Sequence, residues 1–247
     1  MLGRMERARD FRAAAWDELG KSGWTPFMLG MIFCMATVMV VTFFANSLTV
    51  AVMRAWGLVD VPALEPSARS IEAVLMYVGK YAFALLLAVV PRLYIDSAVR
   101  YGFSSMALAV MRRGARFGHA LSGFGHGWST AWLRMLAGIY IFFWSILFII
   151  PGIRAAYSYR MIMFLRVERP ELPADKIISE SKRLMDGHRW KLFCLDFSFI
   201  GWYILVVLTF GLGLVFVLPY HYTSCAAFYE DLLNRDEAGA FGEEYGA

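Results

Sequence analysis

The chain has 247 residues, of which 59% are hydrophobic and 18% are charged, and its mean hydropathy is +0.53. Soluble domains are closer to half apolar and a quarter charged, so the composition excludes an ordinary soluble protein and indicates an integral membrane protein. The net charge of +4 is small, and the basic residues stand at the ends of apolar stretches. Membrane orientation and anionic lipid explain that placement, so no nucleic-acid partner is predicted.

The amino-terminal segment 4–20 predicts an amphipathic helix on the cytoplasmic membrane surface. A first membrane span is predicted near 25–53, because residues 27–53 contain no charged side chain and extend about 40 Å as a helix, more than the roughly 20 residues a span needs. No cleavable signal peptide is expected, since this apolar stretch is far longer than a signal's hydrophobic region. The apolar stripe of the surface helix contains Met5, Ala8, Phe11, Ala15 and Leu19.

The connector 57–70 carries Pro62 and Pro66, which disfavour a helix, and it should lie outside the cytoplasm. A second span is predicted from Ile71 through Pro91 toward Arg100, with the proline kinking the helix.

A second surface helix is predicted at 104–120, followed by a glycine-rich break at 123–127. Two further apolar units cover about 130–167 and 191–233, and the second of them shows a turn at 209–213. Between these units, a third surface helix should start after Pro173 and stop at Gly187, with Ile177, Ile178, Leu184 and Met185 on its apolar face.

Basic residues gather before the first span, at 112–116 and at 166–191, and such clusters favour the cytoplasmic side. The predicted fold is therefore an all-α polytopic membrane protein. It has six transmembrane helices as three hairpins, each preceded by an amphipathic cytoplasmic surface helix. The protein would lie in a bacterial cytoplasmic membrane, with both termini in the cytoplasm. The alternative is four spans with re-entrant segments in the second and third units, since residues 130–167 barely suffice for two crossings.

The chain is expected to form one membrane domain with repeat-like units at about 4–112, 113–168 and 169–235, and a short tail at 236–247. The repeat is read from a glycine-histidine-x-tryptophan phrase at 125–128 and 187–190, a weaker copy ending at Trp24, and prolines at 91, 151 and 219. If the units are true repeats, these prolines should lie at similar depths around a pseudo-threefold axis, with Trp24, Trp128 and Trp190 at the cytoplasmic interface.

His126 and His188 are predicted to cap the surface helices, with Trp128 and Trp190 in the interfacial belt; the competing hypothesis makes the histidines ligands or proton carriers. Ionisable and polar residues follow the three prolines in the predicted membrane helices. Ionisable groups within a membrane are costly and by default indicate a functional site, so these residues suggest a polar cleft. The competing explanation is that they snorkel to the interface. The candidate cleft residues are Arg92, Asp96, Arg154, Tyr157, Arg160, His221 and Tyr222.

Cys34, Cys194 and Cys225 fall in apolar stretches without a nearby partner in the sequence, so they predict neither a disulfide nor a metal site. Asp196 is only five residues past Lys191 and should lie near the interface. Glu230 and Asp231 are expected at the end of the last helix, paired with basic surface residues.

The sequence then resembles a known bacterial family of integral membrane proteins, domain of unknown function 975. The resemblance covers about 120–233 and depends on the isoleucine-proline-glycine segment at 150–152, the phrase at 187–190 and the phenylalanine-tyrosine-glutamate motif at 228–230. It implies an integral membrane protein and transfers no catalytic residue.

Catalytic phrases such as HExxH, GxSxG and GxxxxGK[ST] are missing, so the chain is not expected to be an enzyme, and no cofactor is predicted. The leading hypothesis is a non-catalytic scaffold that binds a membrane protein partner and contacts membrane lipids. The alternative is a transporter or lipid-handling protein with a polar cleft between proline-kinked helices.

Overall fold

A computed structural model describes residues 7–22, 24–56, 71–112 and 116–245, and in these ranges every regular element is a helix. The all-α prediction is confirmed for this part of the chain. The connector 57–70, Met5 and Arg113 lie outside the described residues. The helices are α1 (Ala8–Ser22), α2 (Trp24–Ala55), α3 (Ile71–Arg112), α4 (Phe117–Leu147), α5 (Ile149–Ser158), α6 (Ile162–Glu168), α7 (Ala174–Leu184), α8 (Arg189–Ser198), α9 (Ile200–Leu208) and α10 (Leu214–Tyr245).

The described residues form two compact units, one from 1–33 with 97–247 and one from 34–96. The unit 34–96 consists of most of α2 and the first part of α3, and its large apolar side chains point outward. Met39 is 77% exposed and Ile71 is 79% exposed. Apolar surface of this extent is typical of helices that span a membrane. The predicted repeat units remain a prediction.

Within the part of the chain that the structure describes, four segments are long and apolar enough to cross a membrane: Trp24–Ala55, Leu75–Arg112, Phe117–Ile146 and Arg189–Leu208. The six-span prediction is not supported, because α5 has ten residues and α6 has seven, whereas a crossing needs about 20. Four is the number of spans in the alternative prediction, in which the remaining apolar segments are re-entrant and do not cross the membrane.

The predicted second surface helix is wrong. Helix α3 continues past Ser104 to Arg112, and α4 begins at Phe117 and runs without interruption through the glycines at 123, 125 and 127. These glycines do not break the helix. An added Cβ on Gly123 would lie 1.9 Å from the carbonyl oxygen of Ala98, so this position allows α3 and α4 to approach closely.

The other two predicted surface helices exist, and their apolar stripes are covered by protein. Phe11 on α1 is 1% exposed and meets Phe228 of α10 edge-to-face, with ring centroids 5.2 Å apart. On α7, Ile177 and Leu184 are buried, while the outer face carries charged residues. A large part of each stripe is therefore used for packing within the unit, which leaves little of it to rest on lipid.

Two helix pairs reverse direction at short turns. Tyr140 faces Tyr159 across α4 and the end of α5, and Trp202 faces Tyr220 across α9 and α10. Phe210 and Gly211 have φ angles of 51° and 90°, which confirms the predicted turn at 209–213. Pro219 lies inside α10, but Pro151 is in the first turn of α5, where its missing N–H costs no helical hydrogen bond. Pro151 therefore does not interrupt a helix as predicted.

Candidate functional site

His221 is the centre of a buried polar cluster in the unit formed by 1–33 and 97–247. The residue is 6% exposed on α10, one residue after the tyrosine that follows Pro219. Its Nε2 lies 2.9 Å from Oδ1 of Asp196 on α8 and 3.8 Å from Sγ of Cys225, one turn further along α10. The antiparallel course of α9 and α10 brings Asp196 to this position.

The second oxygen of the same carboxylate faces a different partner. Oδ2 of Asp196 lies 3.9 Å from a guanidinium nitrogen of Arg160, which is in the short turn between α5 and α6. Tyr157 also lies beside this carboxylate. Phe199 and Tyr203 pack edge-on against the imidazole ring at 4.8 and 6.0 Å. The aspartate is thus held from both oxygens, and its charge is balanced by a neighbouring arginine.

A cavity of about 370 Å³ opens beside this cluster. Three guanidinium groups line it, from α3, from α4 and from the turn before α6, and no carboxylate occurs among the described residues of its wall. The polar lining residues are Arg100, Ser104, Arg134, Tyr159, Arg160, Tyr203, His221, Tyr222 and Cys225.

A second polar network joins the ends of α3 and α6 to the middle of α10. Arg112 at the end of α3 donates to Glu168 of α6 at 2.9 Å and to Glu230 of α10 at 2.5 Å. The Tyr229 hydroxyl donates to the same Glu168 carboxylate. Glu230 is therefore paired with a basic residue, whereas Asp231 pairs with Arg235 on its own helix, and α10 continues well beyond both.

Arg183 on α7 connects that helix to the carboxyl-terminal part of α10. Its guanidinium donates to both oxygens of Asp236, at 2.6 and 2.7 Å, and to Glu180 at 2.8 Å. Hydrogen bonds from Arg183 lower the pKa of Glu180 and the pKa of Asp236 below their ordinary values.

The predicted cleft residues separate into three groups. Tyr157, Arg160 and His221 surround Asp196, and Tyr222 lines the neighbouring cavity. Arg154 instead lines grooves beside Trp190 and Arg189.

Arg92 and Asp96 lie on α3 within the unit 34–96. Arg92 is exposed and Asp96 is half-buried there.

The two histidines of the repeated phrase lie in different settings. His126 is inside α4 and stacks on Tyr101 at 5.2 Å, so it does not cap a helix end as predicted. His188 does stand at a helix boundary, directly before α8 and after Gly187 with φ of 72°, and its Nδ1 is 2.8 Å from the carbonyl oxygen of Asp186. Trp128 and Trp190 are 68% and 71% exposed.

Sequence reasoning missed Asp196, Cys225, Arg134 and Tyr203. One signal was available: His221 and Cys225 are four residues apart, a spacing that places two side chains on the same helix face. Cys225 was expected to have no nearby partner in the sequence; it is buried, and its Sγ lies 3.8 Å from Nε2 of His221. Asp196 was expected near the interface because Lys191 is close in sequence. Its pairing with α10 depends on the turn at 209–213, which spacing alone does not show.

Comparison with known proteins settles the family. The model of a protein family of unknown function, DUF975, matches residues 22–236. The chain belongs to this family. The match extends far into the amino-terminal half, beyond residues 120–233, which carry the resemblance in the sequence. No curated protein and no solved structure matches the chain.

Proposed function

We propose that this DUF975 protein is a non-enzymatic membrane protein that binds an anionic, phosphate-bearing amphiphile in the cavity beside His221. One observation carries the proposal: Arg100, Arg134 and Arg160 line a single cavity, and the Asp196 carboxylate that lies 3.9 Å from Arg160 is shared with His221. Guanidinium groups bind phosphate oxygens in pairs of hydrogen bonds, and these bonds strengthen where water is excluded.

The rest of the wall supports an amphiphile over a free ion. The cavity volume of about 370 Å³ is in the range of small-ligand sites, which is roughly 300–1,000 Å³. Apolar side chains, including Ile141, Ile162 and Leu218, share the wall with the arginines. A charged headgroup with an attached apolar chain satisfies both kinds of surface, which a small inorganic anion does not.

The scaffold hypothesis has less structural support. It was motivated by three amphipathic surface helices that could receive a partner. Helices α1 and α7 direct Phe11, Ala15, Ile177 and Leu184 into their own unit, and the third helix is part of α3 and α4. A lipid-handling role, as a binding protein or as part of a transport step, agrees better with the cavity.

We further propose that both termini lie in the cytoplasm of a bacterial cell. The supporting contacts are those of Arg112 with Glu168 and Glu230, and of Arg183 with Asp236. They bring Arg112 and Arg183, which belong to two of the basic clusters, next to Glu230 and Asp236 of α10. Basic segments favour the cytoplasmic side.

Lipid binding by paired variants tests the cavity. The full-length protein in detergent would be titrated with a short-chain fluorescent phosphatidylglycerol, and Arg134→Gln and Arg160→Gln compared with the natural chain. Each substitution removes a charge-assisted hydrogen bond of about 1.5–3 kcal/mol, so each should weaken binding at least about tenfold.

Arg154→Gln is the matched control, because Arg154 is six residues before Arg160 and outside the cavity. It should bind like the natural chain. Short-chain phosphatidylcholine and inorganic phosphate distinguish an anionic lipid from a zwitterionic one and from a free ion. Equal affinity in the Arg134, Arg160 and Arg154 variants would contradict the proposal, as would competition by inorganic phosphate at the lipid's own concentration.

A further inference from the structure

Three polar side chains that could bind a metal lie close together at His221. The Nε2 atom of His221, the Sγ atom of Cys225 and a carboxylate oxygen of Asp196 all lie within 4.8 Å of one another. His221 and Cys225 are buried, at 6% and 5% exposure, and the Asp196 side chain is 23% exposed. An imidazole, a thiol and a carboxylate are the three side-chain types that bind zinc.

The arrangement differs from that of a nucleophile activated by a histidine. In a cysteine–histidine–aspartate relay, one ring nitrogen faces the nucleophile and the other faces the carboxylate. Here the same Nε2 atom faces both Asp196 and Cys225. One nitrogen cannot donate to the carboxylate and accept from the thiol at once. Three donor atoms that lie this close together are instead a set that one metal ion can join.

Two of the three separations are close to those of a tetrahedral zinc site, and the third, between Sγ and the carboxylate oxygen, is within 4.8 Å. With Zn–N and Zn–O near 2.1 Å and Zn–S near 2.3 Å, neighbouring ligand atoms are about 3.3–3.6 Å apart. The observed Nε2–Sγ distance is 3.8 Å and the Nε2–Oδ1 distance is 2.9 Å. Small side-chain rotations that lengthen the second distance and shorten the first would bring all three atoms to the metal.

The neighbouring residues orient the carboxylate, and the donor atoms themselves favour a metal with an affinity for sulfur. Arg160 approaches Oδ2 of Asp196 and Tyr157 lies beside the same carboxylate, which orients Oδ1 toward the histidine as outer residues do in zinc sites. A carboxylate and a thiolate together neutralise a divalent ion. Magnesium and calcium prefer all-oxygen ligands, whereas a thiolate with an imidazole selects zinc.

We propose that Asp196, His221 and Cys225 bind one Zn²⁺ ion, and that its fourth coordination position opens into the cavity lined by Arg134 and Arg160. Three protein ligands with an open position are typical of zinc sites that contact a ligand or water. The inference is independent of the proposed lipid binding, since it depends on the three donor atoms and not on what fills the cavity.

Metal content tests the site directly. The full-length protein in detergent would be stripped with a chelator, equilibrated with micromolar Zn²⁺ and analysed for bound metal. The natural chain should hold about one zinc per chain. Cys225→Ser and His221→Gln should each lower the zinc affinity by roughly 100-fold or more, because each removes a direct ligand.

Cys34→Ser/Cys194→Ser is the matched control, since it keeps Cys225 as the remaining cysteine and should still bind one zinc. Co²⁺ gives a second readout: a sulfur-to-cobalt charge-transfer band should appear in the control and be absent from Cys225→Ser. Thermal unfolding identifies any variant that fails to fold. Absence of stoichiometric zinc in the natural chain would overturn the proposal, and so would full zinc binding by folded Cys225→Ser and His221→Gln. Loss of zinc with intact phosphatidylglycerol binding would leave the lipid proposal standing.

Discussion

Arginine side chains connect parts of the molecule that are far apart in the sequence. Arg166 is 7% exposed, and it donates to the Leu172 carbonyl at 2.7 Å and to the Ser129 hydroxyl of α4. Arg189 donates to the Ser158 hydroxyl at 2.7 Å, and Ser181 donates to the Ser158 carbonyl. The planar guanidinium has several donors in a fixed arrangement, so one side chain can join two or three elements at once. In the sequence these arginines belong to a basic cluster that membrane orientation and anionic lipid were expected to explain.

Arg183 makes a pH-dependent contribution to stability. Its hydrogen bonds lower the pKa of Glu180 and of Asp236 in the folded state, while the unfolded chain keeps values near 4. The contribution is therefore fully present above the unfolded pKa and is lost as the pH falls through the lowered folded pKa. Because the Arg183 side chain is 53% exposed, solvent screening limits the effect to about 1 kcal/mol.

The test is thermal unfolding of Arg183→Gln at pH 7 and at successively lower pH. The variant should be slightly less stable than the natural chain at pH 7, and the difference should shrink once the pH falls below about 4. Lys182→Gln removes the neighbouring positive charge on α7 and leaves both carboxylates with Arg183, so it should show no such convergence. A difference that stays constant down to pH 2 would exclude the carboxylates as its cause.

At the level of helices, the contact between α3 and α4 depends on glycine. A Cβ on Gly123 would lie 1.9 Å from the Ala98 carbonyl oxygen, and one on Gly102 would lie 2.3 Å from the Ala120 carbonyl oxygen. Helices in lipid are held together by close packing of small residues, because burial of apolar surface gives little gain there. The two glycines face the opposite helix's backbone, so neither neighbour can move without shifting a whole helix.

Gly123→Ala should therefore destabilise the protein by about 1–3 kcal/mol or more, through overpacking against backbone atoms. The matched control is Gly125→Ala, two residues along the same helix, where nothing lies within 4 Å of the added Cβ. The control should be as stable as the natural chain or slightly more so, since alanine favours helix. Thermal unfolding in one detergent compares the two. Equal stability of both variants would show that α3 and α4 do not pack as described.

Sequence reasoning worked where the physical signal was local. The uncharged stretch near 25–53 became α2 at Trp24–Ala55, the second span began at Ile71 as predicted, and the turn at 209–213 was found. It failed at 123–127, because glycine weakens an isolated helix but allows close contact between two helices. It also missed the cluster around His221 and Cys225, because Asp196 comes from α8, before the chain reverses direction at 209–213. The sequence spacing shows that His221 and Cys225 share a helix face, but it does not show that Asp196 lies beside them.

On the scale of the whole molecule, the division into membrane-embedded and exposed parts follows from side-chain exposure. The candidate spans present large apolar side chains outward, for example Phe43 at 68% and Ile146 at 67% exposure. By contrast, the α7 segment buries its isoleucines and carries its charges outside. Lipid must surround the first kind of surface and water the second. Composition shows that a bilayer is needed, whereas the number of crossings depends on helix lengths that only the structure provides.

The membrane sides on which the two ends of Arg189–Leu208 lie decide whether this segment crosses the membrane. This segment has 20 residues and extends about 30 Å as a helix, which matches the hydrocarbon thickness of a bilayer. It separates Ser179, on the charged outer face of α7, from Leu212, which is 77% exposed at the turn before α10.

In a chain whose Cys34, Cys194 and Cys225 are replaced by serine, a cysteine at 212 should react with a membrane-impermeant maleimide in intact cells. A cysteine at 179 should react only after the membrane is permeabilised, since the basic segment 166–191 favours the cytoplasm. A cysteine at Thr209, also in the turn, serves as a replicate of 212. If 179 and 212 are labelled from the same side, the segment enters the membrane and returns, and the re-entrant arrangement replaces the crossing.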